Sequence, residues 1–238
     1  VKVSKKKVHT RLIEKERRGD FLGKTVQFIP HVPNEIKRRL FLASEGTDIT
    51  IVEVGGTVGD YDNIPFLFAI KSLEIELGKQ NVVCGLVTYL PVPSHMPEMK
   101  TKPTQMSIRA LTEMGIIPDF ILCRAPKPLD TVRKKKIEQY ANIEAEYIVS
   151  APDVDGCLYQ IPINFEKENL GTKILHKLNL VPKRTPDWTT WEILTRNMHT
   201  PDNEVRIAII GKYLDIGDFE LEDAYISIKE ALKHAGAH

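Results

Sequence analysis

Apolar, β-branched runs alternate with segments of helical period along most of this chain. The runs 25–29 (TVQFI), 48–54 (DITIVEV), 82–89 (NVVCGLVT), 119–123 (DFILC) and 146–150 (EYIVS) predict strands. Between and after them, periodic segments at about 34–44, 64–78, 104–115, 131–141 and 157–167 predict helices. Near-continuously apolar strands separated by helices predict an α/β fold, doubly wound, with a mostly parallel sheet and helices on both faces. Ligands of such sheets bind beyond the carboxyl ends of the strands, so polar residues at those ends become the candidates for function.

From about 168 the pattern changes. Helices are predicted at 170–178 and 186–197, followed by a polar linker at 199–204 (HTPDNE), a fresh strand at 205–210 (VRIAII), Gly211 and a helix near 221–235. One strand and one helix cannot bury a core, so the expected division is a domain over 1–180, a helical linker over 181–204 and the opening of a second α/β domain over 205–238.

Composition narrows the setting. The 238 residues are 42% hydrophobic and 27% charged, which suits a globular chain with a proper core. No stretch approaches the roughly 20 apolar residues of a membrane span, and the opening VKVSKKKVHT lacks the apolar region of a secretory signal. The absence of an initial Met suggests a piece of a longer chain. A net charge of +1 argues against a nucleic-acid partner. Cys84, Cys123 and Cys157 are too far apart for a C-x-x-C motif, and an odd number without a secretion signal predicts a reducing, cytoplasmic location.

Two lysine-containing motifs imitate a phosphate loop and fail. GDFLGKT at 19–25 has three residues between its glycines instead of four, follows a charged helical face (IEKERR) and precedes a strand-like run, the reverse of the required context. IIGKY at 209–213 lacks both the first glycine and the Ser or Thr after its lysine. The stretch ITIVEVGGTVGD at 49–60 is more informative, because Glu53 stands near the end of an apolar run just before two glycines. A carboxylate there reads equally as a turn residue or as a Mg²⁺ ligand, since Mg²⁺ is commonly held by one or two carboxylates plus phosphate oxygens.

KTKPTQ at 100–105 is sharper. Pro103 suits the first turn of a helix, whose free N–H groups and dipole attract anions, and Lys100 and Lys102 add charge just before it. The competing reading is a solvated lysine pair; the adjacent strand-end loop favours phosphate. The run VRKKK at 132–136 reads as a solvated helix face from which Lys136 can reach inward. Arg124 and the loop APDVDG at 151–156 also follow strands. The cysteine contexts VVCGL, ILCRA and DGCLY form no nucleophile elbow, no two histidines have zinc spacing, and His31 reads as a packing or surface residue.

Taken in order, EKERRGDFLGKTVQFIPH, VEVGGTVGD, MKTKPTQ, Cys123–Arg124 and DVD at 153–155 closely resemble CTP synthase, in its N-terminal synthetase (amidoligase) domain of P-loop NTPase-like fold. The resemblance runs from about Lys15 to the end, and it implies an enzyme making CTP from UTP, ATP and ammonia through a 4-phosphorylated UTP, with a C-terminal glutaminase domain supplying the ammonia. It implies Glu53 as the Mg²⁺ ligand, with Glu53 and Lys102 as catalytic residues. Asp60, Tyr61 and Asp62 fall where the family contacts the pyrimidine of inhibitory CTP. Lys100, Thr101, Lys102, Pro103, Thr104, Gln105 and Lys136 are expected to hold the triphosphate of UTP or CTP. Arg124, Pro152, Asp153 and Val154 are expected against ATP. The family assembles as a tetramer whose sites are shared between subunits, so VQFIPH is expected to serve assembly.

The family's own phosphate loop and second acidic metal ligand correspond to sequence before Val1, and its glutaminase domain to sequence after His238, so the chain by itself is expected to be inactive. It also departs from the family pattern, with DYDN at 60–63 in place of Asp-Ile-Glu-Ser and Pro152 where Lys is frequent. The first departure bears on CTP feedback, the second on the ATP loop. The rivals are a non-catalytic nucleotide-sensing or assembly module of the same fold and a basic-patch nucleic-acid binder, which steep salt dependence of oligonucleotide binding would reveal.

Overall fold

The computed structural model describes residues 3–96, 98–154, 156–201, 203–212, 215–216, 219–220 and 225–237. These divide into two compact units, one formed by Val1–Pro152 with Thr172–Val181 and the other by Asp153–Gly171 with Pro182–His238.

In the first unit, helices α1 (Lys5–Arg17), α2 (Phe28–Ser44) and α3 (Ile64–Leu77) precede a parallel sheet. Strand β1 (Gly85–Tyr89) leads through helix α4 (Lys102–Glu113) to β2 (Phe120–Ala125), and β2 through helix α5 (Thr131–Ala141) to β3 (Ile148–Pro152). The order is β1-β2-β3, with Leu86 opposite Ile121 and Leu122 opposite Val149. This parallel sheet flanked by helices is the α/β class the pattern predicts.

Central strand β2 is the most apolar because it has a neighbour on each side. Ile121 and Ile148 are fully buried, and they share one core with Leu86 and Leu90 and with Ile108, Leu67 and Ile137 from the helices. Each such side chain contributes about 1.5–3 kcal/mol by leaving water. Strand β1 alternates instead: Leu86 and Thr88 face the core while Val87 and Tyr89 remain 61% and 48% exposed.

A second core joins α1, α2 and α3 through Val8, Leu12, Val32, Ile36 and Ala69. At its edge the carboxylate of Glu35, only 3% exposed, accepts from Arg38 Nε at 2.8 Å and from Arg39 Nε at 2.9 Å. A buried charge needs such partners, and the Arg38 hydrogen bond, helped by Arg39, holds its carboxyl below the ordinary glutamate range.

Three predicted strands are absent as ladders. TVQFI at 25–29 becomes the entry to α2, where Gln27 (φ −111°, ψ 155°) and Ile29 (φ −113°, ψ 127°) keep an extended backbone, the latter ahead of Pro30, the restriction proline imposes on its predecessor. DITIVEV at 48–54 pairs with no strand among the described residues, and Ile51 is 93% exposed. VRIAII at 205–210 is likewise unpaired, with Ile210 wholly exposed. A β-branched pattern expresses a preference for a pleated, half-buried surface; no described strand edge meets it at either place.

The second unit contains α6 (Gln160–Lys167), a two-residue antiparallel pair β4 (Asp215–Ile216) and β5 (Phe219–Glu220), and helices α8 (Thr189–His199) and α9 (Ile226–Gly236); the division between the units falls within α7 (Leu170–Lys177). Part of the predicted helix near 221–235, residues 221–224, lies outside the described residues, as does Asp155 of the DVD motif. Among the described residues no helix is long and apolar enough to cross a membrane.

Candidate functional site

The carboxyl ends of β1 and β2 gather most of the predicted residues of the first unit. After β1, Leu90 N–H donates to Arg124 O at 2.8 Å, tying the start of the following loop to β2. The loop closes on itself where Lys100 N–H donates to Pro91 O at 2.9 Å, and it delivers the chain directly into α4. Thr101 is the N-cap, Lys102 opens the helix and Pro103 lies in its first turn. No side chain caps this end, so its free N–H groups face outward, as helix starts leave them. The register of α4 against the sheet is set by a buried hydroxyl pair, Thr104 Oγ1 donating to Thr88 Oγ1 at 3.1 Å. Gln105 N–H closes the first helical bond on Thr101 O at 3.0 Å.

Around this helix start lies a charge cluster that spacing alone does not reveal. Glu98 places Oε2 3.0 Å from Lys100 Nζ and Oε1 2.6 Å from Arg133 Nη2. Asp130, the N-cap of α5, accepts from Arg133 N–H at 2.8 Å and pairs with Arg133 Nη1 at 3.2 Å. Arg133 is therefore held between two carboxylates, and its Nε is buried with no acceptor. Lys136, exposed, follows on the next turn of α5, three residues on and so on the same side of the helix. Lys102 is exposed, without an ion-pair partner among the described residues.

Arg124 is exposed near the end of β2, opposite Tyr89 and Ala151. Pro152 closes β3 opposite Ala125. Asp153 and Val154 begin the second unit.

The glycine-rich segment folds locally. Asp60 accepts from Thr57 N–H at 3.3 Å through its carboxylate, and its carbonyl accepts from Asn63 N–H at 2.9 Å. Asn63, nearly buried, donates from Nδ2 to Thr57 O at 3.3 Å. Gly56 has φ +89°, and a Cβ there would stand 2.8 Å from Asn63 Nδ2. The three residues expected to act together thus do different things. Asp60 braces the turn, Tyr61 is 88% exposed, and Asp62 pairs with Lys5 of α1 at 3.0 Å. Tyr61 and Asp62 line a crevice of about 100 Å³ with Lys5, His9 and Phe28. His31 accepts from Gln27 N–H at 3.0 Å and meets Phe21 edge-on, a local packing role.

Glu53 is exposed, with no partner among the described residues, and no group of three metal-binding side chains occurs among them. One accessible carboxylate fits an ion bound mainly through nucleotide phosphates and water, as Mg²⁺ usually is. Burial pushes the Cys84 thiol up to about 11 and the Cys123 thiol up to about 12, so neither is a thiolate at neutral pH.

Sequence reasoning missed Glu98, Arg133, Lys5 and His9. Arg133 carried a usable signal, three residues after a capping Asp, whereas the partners of Glu98 and Lys5 depend on tertiary structure.

A family model described as CTP synthase N-terminus matches residues 1–180. The chain is similar to the CTP synthase of Methanopyrus kandleri, with 46% identity over 235 residues covering 98% of this chain and 42% of that protein. It is 44% identical over 231 residues to that of Methanococcus maripaludis and 43% identical over 231 residues to that of a Synechococcus species, covering 97% and 96% of this chain and 42% and 41% of those proteins. The chain therefore spans about 42% of the length of such relatives.

Proposed function

Because the chain belongs to the CTP synthase N-terminus family, we propose that it supplies the UTP- and CTP-binding surface, and part of the ATP and magnesium surface, of an enzyme that makes CTP. The observation that carries this reading is the uncapped start of α4 at the carboxyl edge of the sheet, with Lys100 and Lys102 beside it. In the proposed reaction the uracil gives up its N3 proton to solvent as O4 attacks the γ-phosphorus of ATP and ADP leaves, giving 4-phosphorylated UTP. Ammonia then adds at C4, the C4–O bond breaks, phosphate leaves and the nitrogen sheds a proton, giving CTP.

Lys100 to Gln105 and Lys136 hold the triphosphate, with Lys102 as the residue most able to follow it because it is exposed and unpaired among the described residues. Asp60 shapes the turn that presents Tyr61 and Asp62 to a pyrimidine. Arg124, Pro152, Asp153 and Val154 are assigned to ATP. Glu53 would hold a magnesium ion, which when bound neutralises charge on phosphate oxygens. We assign residues 1–180 to the synthetase domain, 181–204 to a linker and 205–238 to a glutaminase domain that provides ammonia, in a tetramer with CTP as feedback inhibitor.

Calorimetric titration with UTP and magnesium tests the reading. Lys102→Ala is expected to weaken UTP by about tenfold or more, the worth of a charge-assisted contact, with no change in urea midpoint. Equal affinity in the two proteins refutes the phosphate role. UTP binding by proteins that never turn over, even as complete relatives, would favour the sensing module instead.

A further inference from the structure

We infer that Glu98 is an internal stand-in for a phosphate group: an incoming triphosphate displaces its carboxylate from Lys100 and Arg133, and Arg133 is a further phosphate-binding residue. This rests on the assignment of the α4 start as the triphosphate site and specifies which anion engages two of its cations ahead of the ligand.

The geometry of the pairing is that of one anion bridging two cations. Each Glu98 oxygen takes a different partner, Lys100 at 3.0 Å and Arg133 at 2.6 Å, across 35 residues of sequence between Glu98 and Arg133. A phosphate can bridge two such donors in the same way, and guanidinium groups suit phosphate oxygens particularly well. Lys100, then Arg133, hold the Glu98 carboxyl below the ordinary glutamate range, so the stand-in is charged at neutral pH.

The carboxylate is also removable. The loop is already closed by Lys100 N–H on Pro91 O at 2.9 Å, a backbone bond that needs no Glu98 side chain. Glu98 is 42% exposed and its partners 36% and 20%, so both pairs are partly open to water, which weakens each of them. Arg133 would not collapse on release. Asp130 fixes its Nη1 from the other side, and its buried Nε has a donor to spare. The cluster is thus a cation pair kept in place and occupied by a carboxylate that competes with the ligand.

Binding constants at one fixed low ionic strength test this, with UTP as one probe and inorganic tripolyphosphate, which has no base, as the other. Glu98→Gln is expected to tighten both by roughly 3- to 30-fold, the range two partly solvated pairs allow. Arg133→Gln is expected to weaken both by about fivefold or more. In the double variant the gain from Glu98→Gln should shrink, because its competitor role requires Arg133. Glu98→Ala repeats the first arm without a side-chain amide, and the urea midpoint of each variant verifies folding. Unchanged or weaker binding in both Glu98 variants overturns the displacement while leaving the site intact, provided Lys102→Ala still weakens UTP. If native protein binds neither probe better than Lys102→Ala does, the triphosphate assignment is wrong and the displacement falls with it.

Discussion

The runs ITIVEV at 49–54 and GLVTY at 85–89 are alike on paper, and the protein treats them in opposite ways. The second is strand β1, paired along its length with β2 and sending Leu86 and Thr88 into the core. The first has no ladder partner among the described residues, and Ile49, Ile51 and Val52 are exposed. β1 has β2 to complete its hydrogen bonds; the earlier run has only Val54 packed against the core, followed by a turn that braces itself. A strand pattern states what a segment can do, while a free edge decides whether it does. The same division separates the chemistry. Around the α4 start, groups far apart in sequence hold one another, whereas in 55–63 nearly every bond is within six residues.

This contrast can be broken by experiment. Ile121→Ala, at the centre of the sheet, is expected to cost about 2–5 kcal/mol in urea unfolding; a loss below about 1 kcal/mol would mean that the sheet is no better packed than the loop. A layer held by charge should respond to acid. Glu35 has a folded pKa below its ordinary value of 4.5, so its contribution is complete above that value and is lost as the pH falls through the folded one. Glu35→Gln should therefore remove about 2 kcal/mol at neutral pH and flatten the decline measured as the pH falls below 4.5.

Glu53→Gln is expected to weaken magnesium-dependent nucleotide binding by about tenfold, near 1.4 kcal/mol, while leaving the urea midpoint unchanged. An altered midpoint with normal magnesium dependence would make it a turn residue. Thr104→Val, which takes the donor from Thr88 Oγ1 and leaves that hydroxyl only its contact with the Cys123 thiol, should cost about 1–2 kcal/mol, and adding Thr88→Val should recover part of that. The smallest effect is expected for Ile51→Ala, within about 0.5 kcal/mol of native; a loss as large as that of Ile121→Ala would show that 49–54 is packed after all.

Much of the framework was legible because local rules agreed with the fold. Helix α5 spans Thr131–Ala141, the predicted 131–141, with Asp130 capping its start and Asn142 in the left-handed region at φ 51° just past its end. Pro103 marked the start of α4. Helix α1 was only glimpsed in its charged end, since Val8 and Leu12 are all it buries. KTKPTQ could be read because lysines and a proline at a helix start are adjacent in sequence. Glu98 and Arg133 could not, because parallel strands bring the loops after β1 and β2 together only once the sheet exists.

Gly56 carries a genetic consequence. It meets two independent demands, a positive φ and the absence of a Cβ against Asn63 Nδ2. A lesion to Ala there offends both, and a second change relieves only one: shortening Asn63 frees the space but leaves the backbone in a region alanine disfavours. Suppressors of a Gly56 defect arising at 63 should restore function partially, and full recovery should come only by reversion to glycine.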